Sequence, residues 1–334
     1  MTTGLPVGRR EALAMIATFA VAGCGRAVAD AKQGESGAYR WTRILDAAPY
    51  PKSYNYPVHI AADGRFVALH PQGTWSSRDA VAWTREALPP IPNNTAYLAA
   101  VSHRGATVAL GRHSGNYQGF AIEPRVWRTA DYAAWAAADA PDLPPLIFYA
   151  AASFDSHIWM LGGHDGRAPV NQVWRSPDGI AWEAMPAPPW SPRARGNAAV
   201  FGDRLLLLGG GAIDGEPGSK IVTGEVWATR DGRAWEKLAD HVGSPDPAGF
   251  VPQVYDGKLW LVGANRSGAF TSAMIVSADG SDWTPVSAPW SARGAMATWT
   301  DGRRLLMTGG KSSHVENGET VFEYSNDVWA MERA

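Results

Sequence analysis

The chain has 334 residues, with 36 Gly, 24 Pro and 16 Trp but a single Cys, and its formal net charge is −2. One Cys excludes an internal disulfide framework, a thiolate zinc site and an iron–sulfur cluster. The near-neutral charge gives no electrostatic footprint for nucleic acid or an anionic membrane. The charged share of 19% lies below the usual quarter, which fits a well-cored globular chain and excludes a disordered one.

Residues 1–23 read as an address. Arg9 and Arg10 form a basic start. Ala12 to Ala22 give eleven apolar or small residues, with Thr18 the only polar one. That is too short to span a bilayer, which needs about 20 residues, and it suits a signal-peptide core. Gly25 to Ala38, rich in Gly, Ala and charge, reads as a flexible tether within residues 24–38. Fully extended it reaches about 45 Å at roughly 3.3 Å per residue.

Beyond it, the Trp residues mark a repeat. Five segments align: Trp75 to Trp83, Trp127 to Trp135, Trp174 to Trp182, Trp227 to Trp235 and Ile275 to Trp283. Asp lies four before the second Trp every time, and Gly follows it in three. Asp-Gly between aromatic-flanked runs predicts a tight hairpin, because Gly accepts positive φ without a Cβ clash. Upstream lie His157 to Gly163, Arg204 to Gly210, Lys258 to Ala264 and Arg304 to Gly310. Each is a short apolar run ended by Gly, as expected of a strand buried on both faces. Each unit therefore holds four strands. The first-strand positions His59, Ala100, Ala151, Ala198, Pro252 and Thr298 recur at 41 to 54 residues.

The sequence carries four resemblances. The Gly-Gly after the second strand and the Trp of the fourth resemble the kelch-type repeat, like the central domain of galactose oxidase. This implies an all-β, six-bladed propeller over residues 39–334. The Ser176 to Trp182 turn looks like a shortened Asp-box of sialidase-type propellers, also a propeller element. Val21-Ala22-Gly23-Cys24 resembles a bacterial lipobox. It implies lipidation at Cys24 and an exported protein of the bacterial cell envelope, held to the membrane by its lipid alone. An ordinary cleavable signal stays open. Gly8 to Leu13 resembles a twin-arginine signal, but Ala12 replaces the usual Phe and Gly8 the usual Ser or Thr. The general secretory route therefore also stays open.

The sixth unit ends at Asp327-Val328-Trp329 with no fourth strand after it. Tyr39-Arg40-Trp41-Thr42 matches the missing strand, so the N-terminal strand is expected to close the ring.

Loops between strands two and three, and between blades, share one face, and variable loops on a rigid scaffold usually carry function. His113, His164, Asn265 and Lys311 follow the glycine positions, with Arg266 and His314 nearby. Tyr56 and Arg195 lie between blades and have no repeat partner in the alignment, unlike Arg193 and Arg293, which read as structural. His59 is the one ionisable residue at its column. These nine residues are the candidate ligand set, for a protein or a glycan. No His pair has metal-ligand spacing, so no metal or cofactor is expected, and the lone Cys excludes the chemistry of galactose oxidase. Two function classes stand: a binding module, or a sugar-processing enzyme resembling kelch-type sialic acid mutarotases. A sialidase-like hydrolase ranks below both. An enzyme needs a carboxylate or His beside an Arg in a pocket at the channel mouth.

Overall fold

The computed structural model describes residues 38–86, 97–116, 119–213, 222–243, 246–266 and 269–334, and every named element in them is a strand. The expected signal peptide, Cys24 and the tether up to residue 37 lie outside the described residues.

In chain order, β1 (Tyr39–Leu45) comes first. Blade 1 is β2 (Val58–Ile60), β3 (Phe66–His70), β4 (Gly73–Ser77) and β5 (Trp83–Glu86). Blade 2 is β6 (Ala100–His103), β7 (Ala106–Asn116), β8 (Gly119–Thr129) and β9 (Ala136–Asp139). Blade 3 is β10 (Ala150–Phe154), β11 (His157–Leu161), β12 (Val173–Ser176) and β13 (Glu183–Ala184). Blade 4 is β14 (Asn197–Phe201), β15 (Arg204–Leu208), β16 (Val226–Thr229) and β17 (Glu236–Ala239). Blade 5 holds β18 (Val251–Tyr255) and β19 (Lys258–Val262), a small hairpin of β20 (Ala264–Arg266) and β21 (Ala269–Thr271), then β22 (Ala273–Ser277) and β23 (Thr284–Ser287). Blade 6 holds β24 (Ala297–Thr300) and β25 (Leu305–Thr308), a hairpin of β26 (Lys311–Glu316) and β27 (Glu319–Tyr324), then β28 (Val328–Arg333).

The result is the expected six-bladed propeller of antiparallel four-stranded sheets. Its last blade has the order β24-β25-β28-β1, so the N-terminal strand closes the ring. Tyr39 faces Arg333 and Trp41 faces Met331 in that pairing, and the Ala334 amide donates to the Ala38 carbonyl at 2.8 Å.

The core is divided among the blade interfaces. Each second strand carries a short apolar run because both its faces meet a neighbour there: Leu205 to Leu208 are all fully buried. One cluster joins blades 6 and 1 through Tyr56, Val58, Trp75, Trp83, Trp299 and Leu306. Others join blades 2 and 3, 3 and 4, 4 and 5, and 5 and 6.

The recurring turn has a definite chemistry. Ser77, Thr129, Ser176, Thr229 and Ser277 each accept the amide three residues on, at 2.8–2.9 Å. The Asp two residues later accepts two further amides at 2.7–3.2 Å. The residue after the Asp has positive φ in all five: Ala80, Tyr132, Gly179, Gly232 and Gly280. The second Trp then caps the turn, with its indole N–H donating to the carbonyl three residues back at Trp83, Trp182 and Trp283. Except for Trp83, these Trp therefore end the turn, and the expected place inside the fourth strand is corrected by one residue.

His59 also moves by one position. Val58, facing Ala68, occupies the column of Ala100, Ala151, Ala198, Pro252 and Thr298; His59 faces Val67. A one-residue slip in a strand exchanges its faces, and β2 is too short to signal its own register.

Three outcomes are expected. Deleting residues 39–50 removes the closing strand, so far-UV circular dichroism should show lost cooperativity of thermal unfolding. A Cβ at Gly232 would run into the Trp159 ring, 1% exposed, at a φ of 70°. Gly232→Ala should cost about 3 kcal/mol in urea unfolding. Gly257→Ala, at a similar φ but in open space, should cost about 1 kcal/mol.

Candidate ligand-binding face

The segments joining one blade to the next cross this face and end beside the channel. In blades 3 to 6 they pass over the glycines that follow the second strand. Gly163 donates its amide to Arg193 O at 2.9 Å, and Gly310 does the same to Ser53 O at 2.9 Å. The residue that opens the next inner strand packs on the previous blade's first glycine: Phe250 on Gly209, Met296 on Gly263 and Tyr56 on Gly309. A side chain at those glycines would displace the crossing segment, which explains the Gly requirement.

Two arginines brace these crossings. Arg193, 1% exposed, reaches Glu225 Oε2 at 2.6 Å and Gly209 O at 3.3 Å. Arg293, 4% exposed, forks onto Asp327 at 2.5 and 2.9 Å and reaches Gly309 O. Both are structural, as expected. Desolvation raises the Glu225 carboxyl, but hydrogen bonds from Lys237, Arg193 and Trp227 outweigh it and hold the group at about 2.

Around the channel mouth the crossings hydrogen-bond to one another. Phe148 N donates to Tyr97 O at 2.9 Å and Arg195 N to Phe148 O at 2.7 Å. Ala295 N donates to Gly249 O at 3.2 Å and Asn55 N to Ala295 O at 2.8 Å. Asn55, Phe148, Arg195, Gly249 and Ala295 all have φ between 53° and 66°. They form a backbone collar that sequence reading missed, because its members share a dihedral and no residue type. Arg195 therefore does occupy a repeat position. So does Tyr56, at the site of Tyr149, Phe250 and Met296. At 3% exposure Tyr56 is a core residue, its hydroxyl beside the Tyr50–Thr308 hydrogen bond, and burial pushes its pKa up.

The structure gathers some of the other candidates and separates the rest. His113 is buried and stacks on Tyr97, centroids 4.3 Å apart and planes within 6°. Tyr97 contacts Phe148 at 4.9 Å, and the exposed Arg195 guanidinium lies 4.9 Å from the Phe148 ring centre. Phe120 flanks His113 at 5.9 Å. A row of rings ending in a cation thus runs along blades 2, 3 and 4. His164 is 2% exposed and accepts the Gly166 amide through Nδ1 at 3.0 Å, so it shapes its loop. His59 lies away from this row, its Nδ1 3.3 Å from Ser102 Oγ.

The segment after Lys311 reads as a loop in sequence but is a hairpin. Alternation puts Lys311, Phe322 and Tyr324 on one side, and His314 with Glu323 on the other. Lys311 Nζ sits 4.7 Å from the Tyr54 ring centre and 5.0 Å from that of Phe322, and Tyr54 stacks on Tyr324 at 5.4 Å. His314 lies 3.9 Å from both Glu316 and Glu323. Lys311 and His314 therefore cannot converge on one small ligand. The side chains of Asn265 and Arg266 lie outside the described residues. Among the described residues, no three His, Cys, Asp or Glu side chains gather as a metal site.

No family model matches the chain, and no curated protein matches it. Among solved structures it is similar to that of YjhT, with a TM-score of 0.60 and 15% identity. The likeness covers 84% of this chain and 99% of that one. At that identity it shows the fold, and the residues must carry any function.

Burial also sets a pH response. His70 replaces a glycine of blade 1, donates through Nε2 to Pro51 O at 2.9 Å and accepts the Gln72 amide. Burial lowers its pKa to about 4, partly offset by the Pro51 carbonyl, and burial alone takes His59 to about 4. Unfolded imidazoles bind protons first, near 6.5. Stability is therefore complete above about pH 7 and falls as pH drops from 6.5 to 4. For His70 alone the loss at pH 5 is about 2 kcal/mol. Urea midpoints should fall between pH 7.5 and 5, and His70→Gln should flatten that slope.

Proposed function

We propose that this is an exported, kelch-type propeller, anchored through a lipid on Cys24, whose loop face binds a ligand. A glycan fits better than a protein surface. The observation that carries this reading is the pairing of rings with cations on that face: Phe148 with Arg195, and Tyr54 and Phe322 with Lys311, Tyr324 stacking on Tyr54. Tyr54, Phe322 and Tyr324 are 37–38% exposed, which is costly for large rings without a partner. Aromatic faces stack on the C–H faces of sugar rings, and a guanidinium or ammonium beside them suits a sugar carboxylate. Between the two groups the collar carries Gly249 and Ala295, the smallest side chains among its five positions.

Binding is preferred to sugar isomerisation for a specific reason. The buried arginine–carboxylate pairs of this face, Arg193–Glu225 and Arg293–Asp327, are turned inward as braces. Among the described residues, the exposed pairs that Glu123 makes with Arg112 at 3.7 Å and with Arg125 at 3.9 Å lie along β7 and β8.

A glycan screen that includes sialic acids tests the reading. Binding to an acidic glycan should weaken at least tenfold in Arg195→Ala and in Tyr324→Ala, with the thermal midpoint unchanged. Silence toward every sugar, or unaltered affinity in both variants, would sink it.

A further inference from the structure

The opposite face, with the tight turns, carries a concavity of its own. At the seam of blades 6 and 1 a cleft of about 520 Å³ is lined by Ile60, Phe66, Arg78, Asp301, Arg303, Arg304 and Glu332, with Gly64 at its edge. A smaller one of about 170 Å³ runs along β1 and β28, where Arg40, Thr42, Ile44, Ala330 and Arg333 join the shared Arg304 and Glu332. Five arginines thus meet two carboxylates, a local excess that the overall charge of −2 averages away.

Three of the five are already engaged. Asp301 holds Arg304 at 3.0 Å, Asp63 holds Arg78 at 3.1 Å, and Asp256 lies 3.5 Å from Arg333. Arg40 and Arg303 are exposed, and among the described residues neither has a carboxylate in ion-pair range. The backbone of Arg303 is nonetheless fixed on both sides. Its amide donates to Asp301 Oδ1 at 2.9 Å, and its carbonyl accepts the Tyr255 hydroxyl at 2.9 Å. Asp301 is spent on this turn and on Arg304, so Arg303 presents its charge from a rigid base. Ile60, 41% exposed, adds an apolar wall.

The position of the clefts, taken with the proposed anchor, points to a partner. Tyr39 opens β1 opposite Arg333, and the next residue, Arg40, lines the smaller cleft. The chain therefore reaches the propeller at this face. The proposed tether from Cys24 joins the propeller on the side of these clefts and away from the loop face.

We propose that the seam cleft and the smaller cleft beside it receive the phosphates of anionic lipid headgroups, with the guanidinium forks of Arg303 and Arg40 as their respective donors. Planar forks match phosphate oxygens in pairs, and basic residues close to a bilayer add attraction to anionic lipid. The choice of a lipid rests on the proposed anchoring; the charge and shape of the cleft do not.

The test uses the Cys24→Ser chain, which cannot be lipidated, in co-sedimentation with vesicles. It should bind vesicles of phosphatidylglycerol and phosphatidylcholine, and not those of phosphatidylcholine alone. The Arg40→Gln/Arg303→Gln double variant should lose at least tenfold in affinity while keeping its thermal midpoint. Arg112→Gln, which removes one positive charge from β7 on the other face, should change nothing. Equal binding to both vesicles, or an unaffected double variant, overturns the proposal. Inorganic phosphate that binds and is lost in the double variant, without vesicle binding, also overturns the lipid and leaves a free anion as the ligand. Fractionation of the unaltered chain reads the anchor separately, so the two failures are distinguishable.

Discussion

Everything in this molecule depends on one strand pairing. Blade 6 receives only three strands from its own stretch of chain, and Tyr39–Leu45 supplies the fourth. Without it the sheet would end in an open edge. The joint reaches beyond hydrogen bonds. Trp41 meets Trp290 edge-on at 4.6 Å, while Tyr39 packs on Trp260 of blade 5 at 5.0 Å and donates its hydroxyl to Asp256 at 2.7 Å. The closing strand therefore fastens the last blade and clamps the one before it.

Inside the closed ring, the loop face is organised from the backbone outward. The crossing segments need glycine beneath them, positive φ at the collar and a buried arginine to hold the bend. Once these are met, side chains beyond the collar are free to vary. That division explains why Arg193 and Arg293 recur as braces, whereas Arg195 lies exposed over Phe148 at the rim.

The architecture was legible because its marks are local. A hydroxyl, an Asp and a Trp within seven residues specify a turn wherever they occur, and five copies give the period. The candidate site was less legible. The collar is built of amides and carbonyls from residues as unlike as Asn55, Phe148 and Ala295. Tyr56 looked singular because its equivalents are Tyr149, Phe250 and Met296, alike only in bulk. The opposition of Lys311 and His314 follows from strand alternation, but the segment had to be seen as a hairpin first. His59 shows the opposite difficulty: a three-residue strand fixes neither its register nor its face from its own sequence.

The closing strand has one more consequence. The other five blades bridge their third and fourth strands with the hydroxyl–Asp turn, whereas in blade 6 those strands, β28 and β1, meet without a covalent link, Ala38 and Ala334 joined by a single hydrogen bond. The break in the covalent ring therefore occupies the place of a turn. In architectural terms the break is portable: a short linker across it, with a new opening at any of the five turns, would give a circular permutant with the same six blades. The order of the blades along the chain is then an accident of where the ring was cut, and their order around the axis is what the packing specifies.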